Sequence, residues 1–149
     1  ADIGDAMDIH PRKKQEVGHR LALLALHHDY DQVENGFSSP FYHFHQVDGK
    51  SILINFKHAK ELKLKGGAEI TGLTIAGKDQ KFVEADGKIV NGNQLKVWSS
   101  KVKKPVAVRF GWSNVPFVNL FNEVDFPASP FKTDNWKDTT EGEIHLKFP

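Results

Sequence analysis

Beyond residue 40 the chain is a succession of short alternating runs, each closed by a turn signal, and that pattern leaves few folds open. Asp48-Gly49 separates residues 41–47 from 51–56, both rich in aromatic and β-branched side chains; a DG pair in that setting predicts a hairpin. Further runs at 68–75, 81–84, 88–90 and 94–99 are punctuated by Gly77, Asp86-Gly87 and Asn91-Gly92. Residues 105–112 add one more strand, in which Val106, Val108 and Phe110 alternate with Ala107, Arg109 and Gly111. Many short strands at this spacing predict an antiparallel β-sandwich. Residues 113–136 are rich in Pro, Asn and Phe and have no clear period, so they are expected to cover a core or serve a site. Ile144, Leu146 and Phe148 alternate in the tail at 142–149 and predict a last edge strand.

The N-terminal part follows a different period. Pro11 is suited to the first position of a helix, and residues 12–28 contain no further proline. Val17, Leu21, Leu24 and His28 form one stripe, while Ala22, Leu23, Ala25 and Leu26 carry the apolar surface well round the second half. Such a helix wants cover on more than one side, which a layered α/β unit provides; docking on the following β domain alone is the simpler alternative. The change of period around residues 30–40 predicts two units, 1–35 and 36–149. The first eight residues show neither an initiator Met nor a signal-peptide pattern, and the chain is expected to be entered midway.

Charge and composition narrow the partners. A net charge of +1, from 20 basic and 19 acidic residues, gives no electrostatic footprint for nucleic acid or an anionic membrane. The longest apolar run, residues 21–26, falls far short of the roughly 20 residues that span a bilayer, so a soluble chain is expected. No cysteine is present, which excludes disulfides and thiolate metal sites but fixes no compartment.

His10 is the first candidate for chemistry. An imidazole held just before a helix, with Asp8 and Asp5 near it, is a place where a general base can be fixed on a rigid element facing an open edge. Taken alone, a His beside an Asp is more often a surface or capping pair. His43 and His45, two apart on one strand, are expected on one face, where they could ligate a metal with His58 or His28. Nothing closes that coordination set, so a solvent-facing polar row is the preferred reading and no metal is expected. Trp112, Phe117, Phe121, Phe126, Phe131 and Trp136 can stack on a sugar ring or simply pack a core. Arg109 can pair with a carboxylate of the chain, holding the long loop, or bind a substrate carboxylate. Asn114, Asn119 and Asn122 are expected to bond the loop's own backbone.

Two segments resemble one family. DIHPRKKQEVGHRLALLAL is similar to the "DIHP…K-Q-x-V-x-x-R-L-A-L" segment that closes the hydrolase domain of sialate O-acetylesterases, members of the wider SGNH or GDSL hydrolase group. KKPVAVRFGWSNVPFVNLFN, followed by FPASPFKTDNW, resembles the "V-x-V-R-Y-x-W…N-L-x-N…L-P-A-x-P-F" ending of the same family. The resemblance reaches Trp136 and leaves 137–149 unsupported.

It implies a mainly β chain: an antiparallel β-sandwich preceded by the C-terminal helix of an SGNH-type α/β hydrolase domain. It also implies a serine esterase that removes O-acetyl groups from sialic acid or a related glycan, with His10 as base and acid and no cofactor; Arg109 and Trp112 are the substrate-binding candidates that the residues themselves offer. The acidic partner of many SGNH hydrolases lies three residues before the histidine, where this chain has Met7. Asp8 is favoured in its place; Asp5, a backbone carbonyl or a residue outside this chain remain open. The nucleophile and oxyanion donors of such enzymes lie far upstream. Ser38, Ser39, Ser51, Ser99, Ser100, Ser113 and Ser129 sit in turn or strand contexts, and no GDS or G-x-S-x-G elbow occurs. The resemblance thus implies that the serine lies outside this chain, that the chain alone is inactive, that the hydrolase portion is its partner, and that its home is periplasmic, secreted or lysosomal. Two rival expectations are a non-catalytic carbohydrate-binding or structural β-sandwich module and an acetylxylan-type esterase.

Overall fold

The computed structural model describes residues 2–8, 10, 12–34 and 36–138. The described residues form one helix, α1 (Lys14–His28), and ten strands: β1 (Phe41–Asp48), β2 (Ser51–Lys57), β3 (Leu62–Leu64), β4 (Leu73–Ala76), β5 (Val83–Glu84), β6 (Asp86–Val90), β7 (Gln94–Trp98), β8 (Ala107–Phe110), β9 (Leu120–Asn122) and β10 (Phe131–Lys132). All the strand pairs are antiparallel. One four-stranded sheet runs β1-β2-β7-β6, a second runs β10-β8-β4-β5, and β3 pairs with β9 in a two-stranded ladder. The fold is the expected antiparallel sandwich with one helix before it.

Alternation builds the core. Ile52, Ile54 and Phe56 of β2 and Leu95 and Val97 of β7 face Leu73 and Ile75 of β4 and Val108 and Phe110 of β8, all in one buried cluster. Leu62 and Leu120 bring the small ladder into the same cluster. The aperiodic segment at 113–136 covers this core: Val118, Leu120, Phe121, Phe126, Ala128 and Phe131 are buried, and β9 and β10 lie within it. Four short strands, β3, β5, β9 and β10, fall below the length at which a period can be read.

Several sequence readings change. Asp86-Gly87 is not a turn but the start of β6, paired with Trp98 and Val97. A Cβ at Gly87 would stand 2.5 Å from Leu73 Cδ1 and 3.1 Å from Ile70 Cδ1, so the glycine admits core side chains against the strand instead of reversing the chain. Here the chain passes from the second sheet (β5) to the first (β6) through Ala85 alone. Asn91 and Gly92, with φ of 50° and 78°, do form the turn predicted between β6 and β7.

His43 and His45 do not share a face either. The register of β1 on β2 shifts between Tyr42 and Phe44, so His45 pairs with the buried Ile54 while Phe44 pairs with Asn55. The bulge breaks the two-residue period that a shared face requires. His45 Nδ1 meets the Tyr42 hydroxyl at 2.8 Å, and His43 is exposed.

The helix begins at Lys14, with no side-chain cap; Pro11, read as its opening residue, lies outside the described residues, as does the edge strand expected at 142–149. No residue of α1 is buried, and Leu21 is 61% exposed. Ring and ion-pair contacts hold it instead. His27 stacks on the buried Phe37, with ring centroids 3.4 Å apart, and its Nδ1 lies 2.6 Å from Val33 O. Arg20 lies 5.4 Å over the ring of Phe126, a buried residue of the sandwich.

Candidate functional site

The segment that carries His10 is shaped by two successive aspartate turns. Asp5 Oδ1 accepts the backbone N–H of Met7 at 2.9 Å, and Asp8 Oδ1 accepts that of His10 at 2.8 Å. A carboxylate that bonds the amide two residues on closes a local turn and fixes the backbone of the residue it reaches. His10 is therefore held through its main chain by Asp8, and the residue is exposed. Arg20 ties this segment to the helix. Its Nη1 and Nη2 donate to the two carboxylate oxygens of Asp2 at 2.9 and 2.8 Å, and its Nε donates to Glu16 at 2.9 Å. The hydrogen bonds from Arg20 are the main cause holding Asp2 below the ordinary carboxylate range. Asp2 and Arg20 carried no role in the sequence reading; only the spacing of Glu16 and Arg20 was a readable signal.

Arg109 and Trp112 are brought together elsewhere, on the second sheet. They line one cleft of about 750 Å³ with Gln80, Phe82, Asn114 and Trp136 among its other walls. Arg109 leaves β8 on the face opposite Val108 and Phe110 and makes a two-pronged pair with Asp134, Nε to Oδ2 at 2.9 Å and Nη2 to Oδ1 at 2.8 Å. Its guanidinium also lies 4.3 Å over the Phe82 ring, and Nη1 is 3.3 Å from Asp138. The Asp134 side chain is only 2% exposed, and the bond from Arg109 is the first cause pulling its carboxyl below the usual range, while Arg109 is pushed up. Pairing with a carboxylate of the chain was one of the two roles considered for Arg109, and the Asp134 pair realises it.

Trp112 follows Gly111, whose φ of 59° turns the chain where a Cβ would meet Val118 at 3.1 Å and Pro130 at 3.4 Å. The indole is 46% exposed, with the Lys132 ammonium 5.3 Å over its ring. Phe82 and Trp136 meet edge to face at 5.7 Å. Gln80 and Phe82 belong to a segment about thirty residues from Trp112, and no local signal pointed to them. His10 and Asp8 are not among the residues lining this cleft.

The asparagines do more than bond their own loop. Asn122, fully buried, accepts the N–H of Phe126 at 2.8 Å but donates to Ser38 O and His58 O, both at 3.1 Å. Asn119 donates to Glu69 O at 2.7 Å and accepts from Thr71 N at 3.0 Å. Both fasten the segment at 113–136 to distant strand ends. Among the described residues no group of three or more His, Cys, Asp or Glu is arranged to hold a metal ion, and no helix is long and apolar enough to cross a membrane.

Fold and sites together define an antiparallel β-sandwich with a leading helix, one turn-fixed histidine before that helix and one aromatic cleft. No protein-family model and no curated protein matches the chain. Among solved structures it is similar to the carbohydrate acetylesterase XAC1771 of Xanthomonas citri, at 42% identity and a TM-score of 0.85, over 91% of this chain. The chain spans only 31% of that enzyme's length.

Proposed function

We propose that this chain is a portion of a carbohydrate O-acetylesterase and that it contributes the catalytic histidine. The observation that carries this reading is the 42% identity to the Xanthomonas citri carbohydrate acetylesterase along nearly the whole chain. The placing of His10 supports it: an exposed residue, fixed through its backbone, beside the start of a helix.

In the proposed reaction a serine from a hydrolase portion outside these 149 residues attacks the acetyl carbonyl carbon while His10 takes the hydroxyl proton. Backbone donors of that portion stabilise the oxyanion. On collapse the bond between the acetyl carbon and the sugar oxygen breaks, and His10 returns the proton to that oxygen, leaving an acetyl-serine. Water then attacks the acetyl carbon as His10 takes its proton; the bond between that carbon and the serine oxygen breaks, His10 returns the proton to the serine oxygen, and acetate leaves. Asp8 is assigned the orienting role, and Arg20, through Asp2, holds the segment against the helix. The acetylated sugar is sialic acid or a related glycan, and the protein's home is periplasmic, secreted or lysosomal, as the family resemblance implies.

Treating the natural full-length protein with a fluorophosphonate should put the adduct on a serine outside this segment. His10→Ala should lower kcat for an acetylated sugar by about 10³-fold or more without changing the melting temperature. An adduct on a serine of this segment would overturn the assignment of the nucleophile. Full activity in His10→Ala would overturn that of the base.

A further inference from the structure

We propose that the cleft around Trp112 is a binding site for a neutral sugar ring, separate from the His10 segment. Three chain segments that are far apart in sequence converge there, each bringing an aromatic side chain: Phe82 beside β5, Trp112 after β8 and Trp136 after β10. Planar polar groups stand among them, the Gln80 and Asn114 amides and the Arg109 guanidinium. A pyranose presents an apolar C–H face ringed by hydroxyls. Aromatic faces meet the first, and the side-chain amides of Gln80 and Asn114 meet the second. The volume, about 750 Å³, falls within the range of small-molecule sites.

Backbone conformation at two positions supports a built site. Gln80 holds a φ of 60°, uncommon for a residue with a side chain, and Gly111 turns the chain immediately before Trp112. Only Gln80 is strained, where its N–H closes a turn on Gly77 O at 3.1 Å; such strain is kept where the surroundings enforce it, whereas Gly111 reaches its φ freely. Charge then selects the class of sugar. Arg109 is already paired with Asp134 and Asp138, and Lys132 with Asp138 at 2.6 Å, so the central cations are matched by carboxylates of the chain. Lys137 adds a positive charge only on an exposed side chain. A sugar carboxylate finds no dedicated partner in the middle of the cleft, whereas a neutral ring needs none.

The choice of a sugar rests on the carbohydrate-esterase reading, and the experiment separates the two. Isothermal titration of the full-length protein with cellohexaose, a neutral probe without acetyl groups, should give saturable binding. That binding should persist in His10→Ala, whatever becomes of hydrolysis. Trp112→Ala and Gln80→Ala, from different segments, should each weaken it about tenfold, while Trp98→Phe, outside the cleft, should not. Melting temperatures of the variants confirm that they fold. Affinity unchanged in both Trp112→Ala and Gln80→Ala, or no binding of cellohexaose and of xylohexaose, would overturn the proposal. Tighter binding of sialyllactose than of either neutral probe would overturn the choice of a neutral ring.

Discussion

The sandwich and the helix are held by opposite means. Between the sheets, Ile52, Ile54, Ile75, Leu95, Val97, Val108 and Phe110 lose all exposure, and they belong to one buried cluster drawn from both sheets. Along α1 no residue is buried, and the helix keeps its place through Arg20, which reaches Asp2, Glu16 and Phe126, and through His27 on Phe37. Burial of apolar area is non-directional and sums over many residues, so the sandwich draws on a large collective term. A few polar and ring contacts are directional and few in number. They set the orientation of the helix but contribute little to overall stability.

The largest test of this contrast is a pair of truncations. Phe110→Ala should cost about 3–5 kcal/mol in urea unfolding, because it opens a cavity in a packed core, whereas Leu21→Ala on the helix should cost about 0.5 kcal/mol or less. A comparable loss at both positions would break the comparison.

Next in size is Asp134→Ala, which leaves the Arg109 guanidinium, 15% exposed, without its two-pronged partner; a loss of about 2–3 kcal/mol is expected. The same pair gives a pH dependence. The folded-state pKa of Asp134 is depressed, so its contribution is complete above the unfolded value, about 4, and is lost as pH falls through the lower folded value. Acid unfolding should therefore begin at a higher pH in any variant that weakens this pair, and circular dichroism against pH would report it.

A smaller global effect than at Asp134 is expected from Arg20→Ala, about 1 kcal/mol, since its partners are part-exposed. Hydrogen exchange sharpens the comparison here. Amides of α1 should exchange markedly faster in this variant while those of β2 and β7 keep their protection. Uniform loss of protection would mean that helix and sandwich open as one unit.

The sandwich was legible because alternation and turn pairs survive in a single sequence: β1, β2, β7 and β8 lie close to where the apolar period put them. The misreadings have physical causes. At Asp86-Gly87 a turn-forming dipeptide serves close packing under Leu73, and only the neighbouring sheet reveals why. At His43 an inserted residue reverses the faces, and a bulge has no compositional mark. Of the candidate site, Arg109 and Trp112 were legible, but their companions Gln80 and Phe82 were not, since convergence in space leaves no trace in spacing. Asp8 was legible as a neighbour of His10; that its carboxylate serves the backbone needed the geometry.

The strand order has a kinetic consequence. In the first sheet β2 lies next to β7, and between them in sequence the chain leaves to lay down β4 and β5 in the other sheet before returning through Ala85. The hairpin of β1 and β2 can close early, yet its inner neighbour arrives some forty residues later, after the excursion has been made. Loop closure of that length must precede the contacts that reward it, which places folding in the millisecond-to-second regime of sandwiches. Until β7 docks, both edges of the hairpin lie open to pairing with other molecules, so this waiting interval is when the newly made chain most needs protection from aggregation.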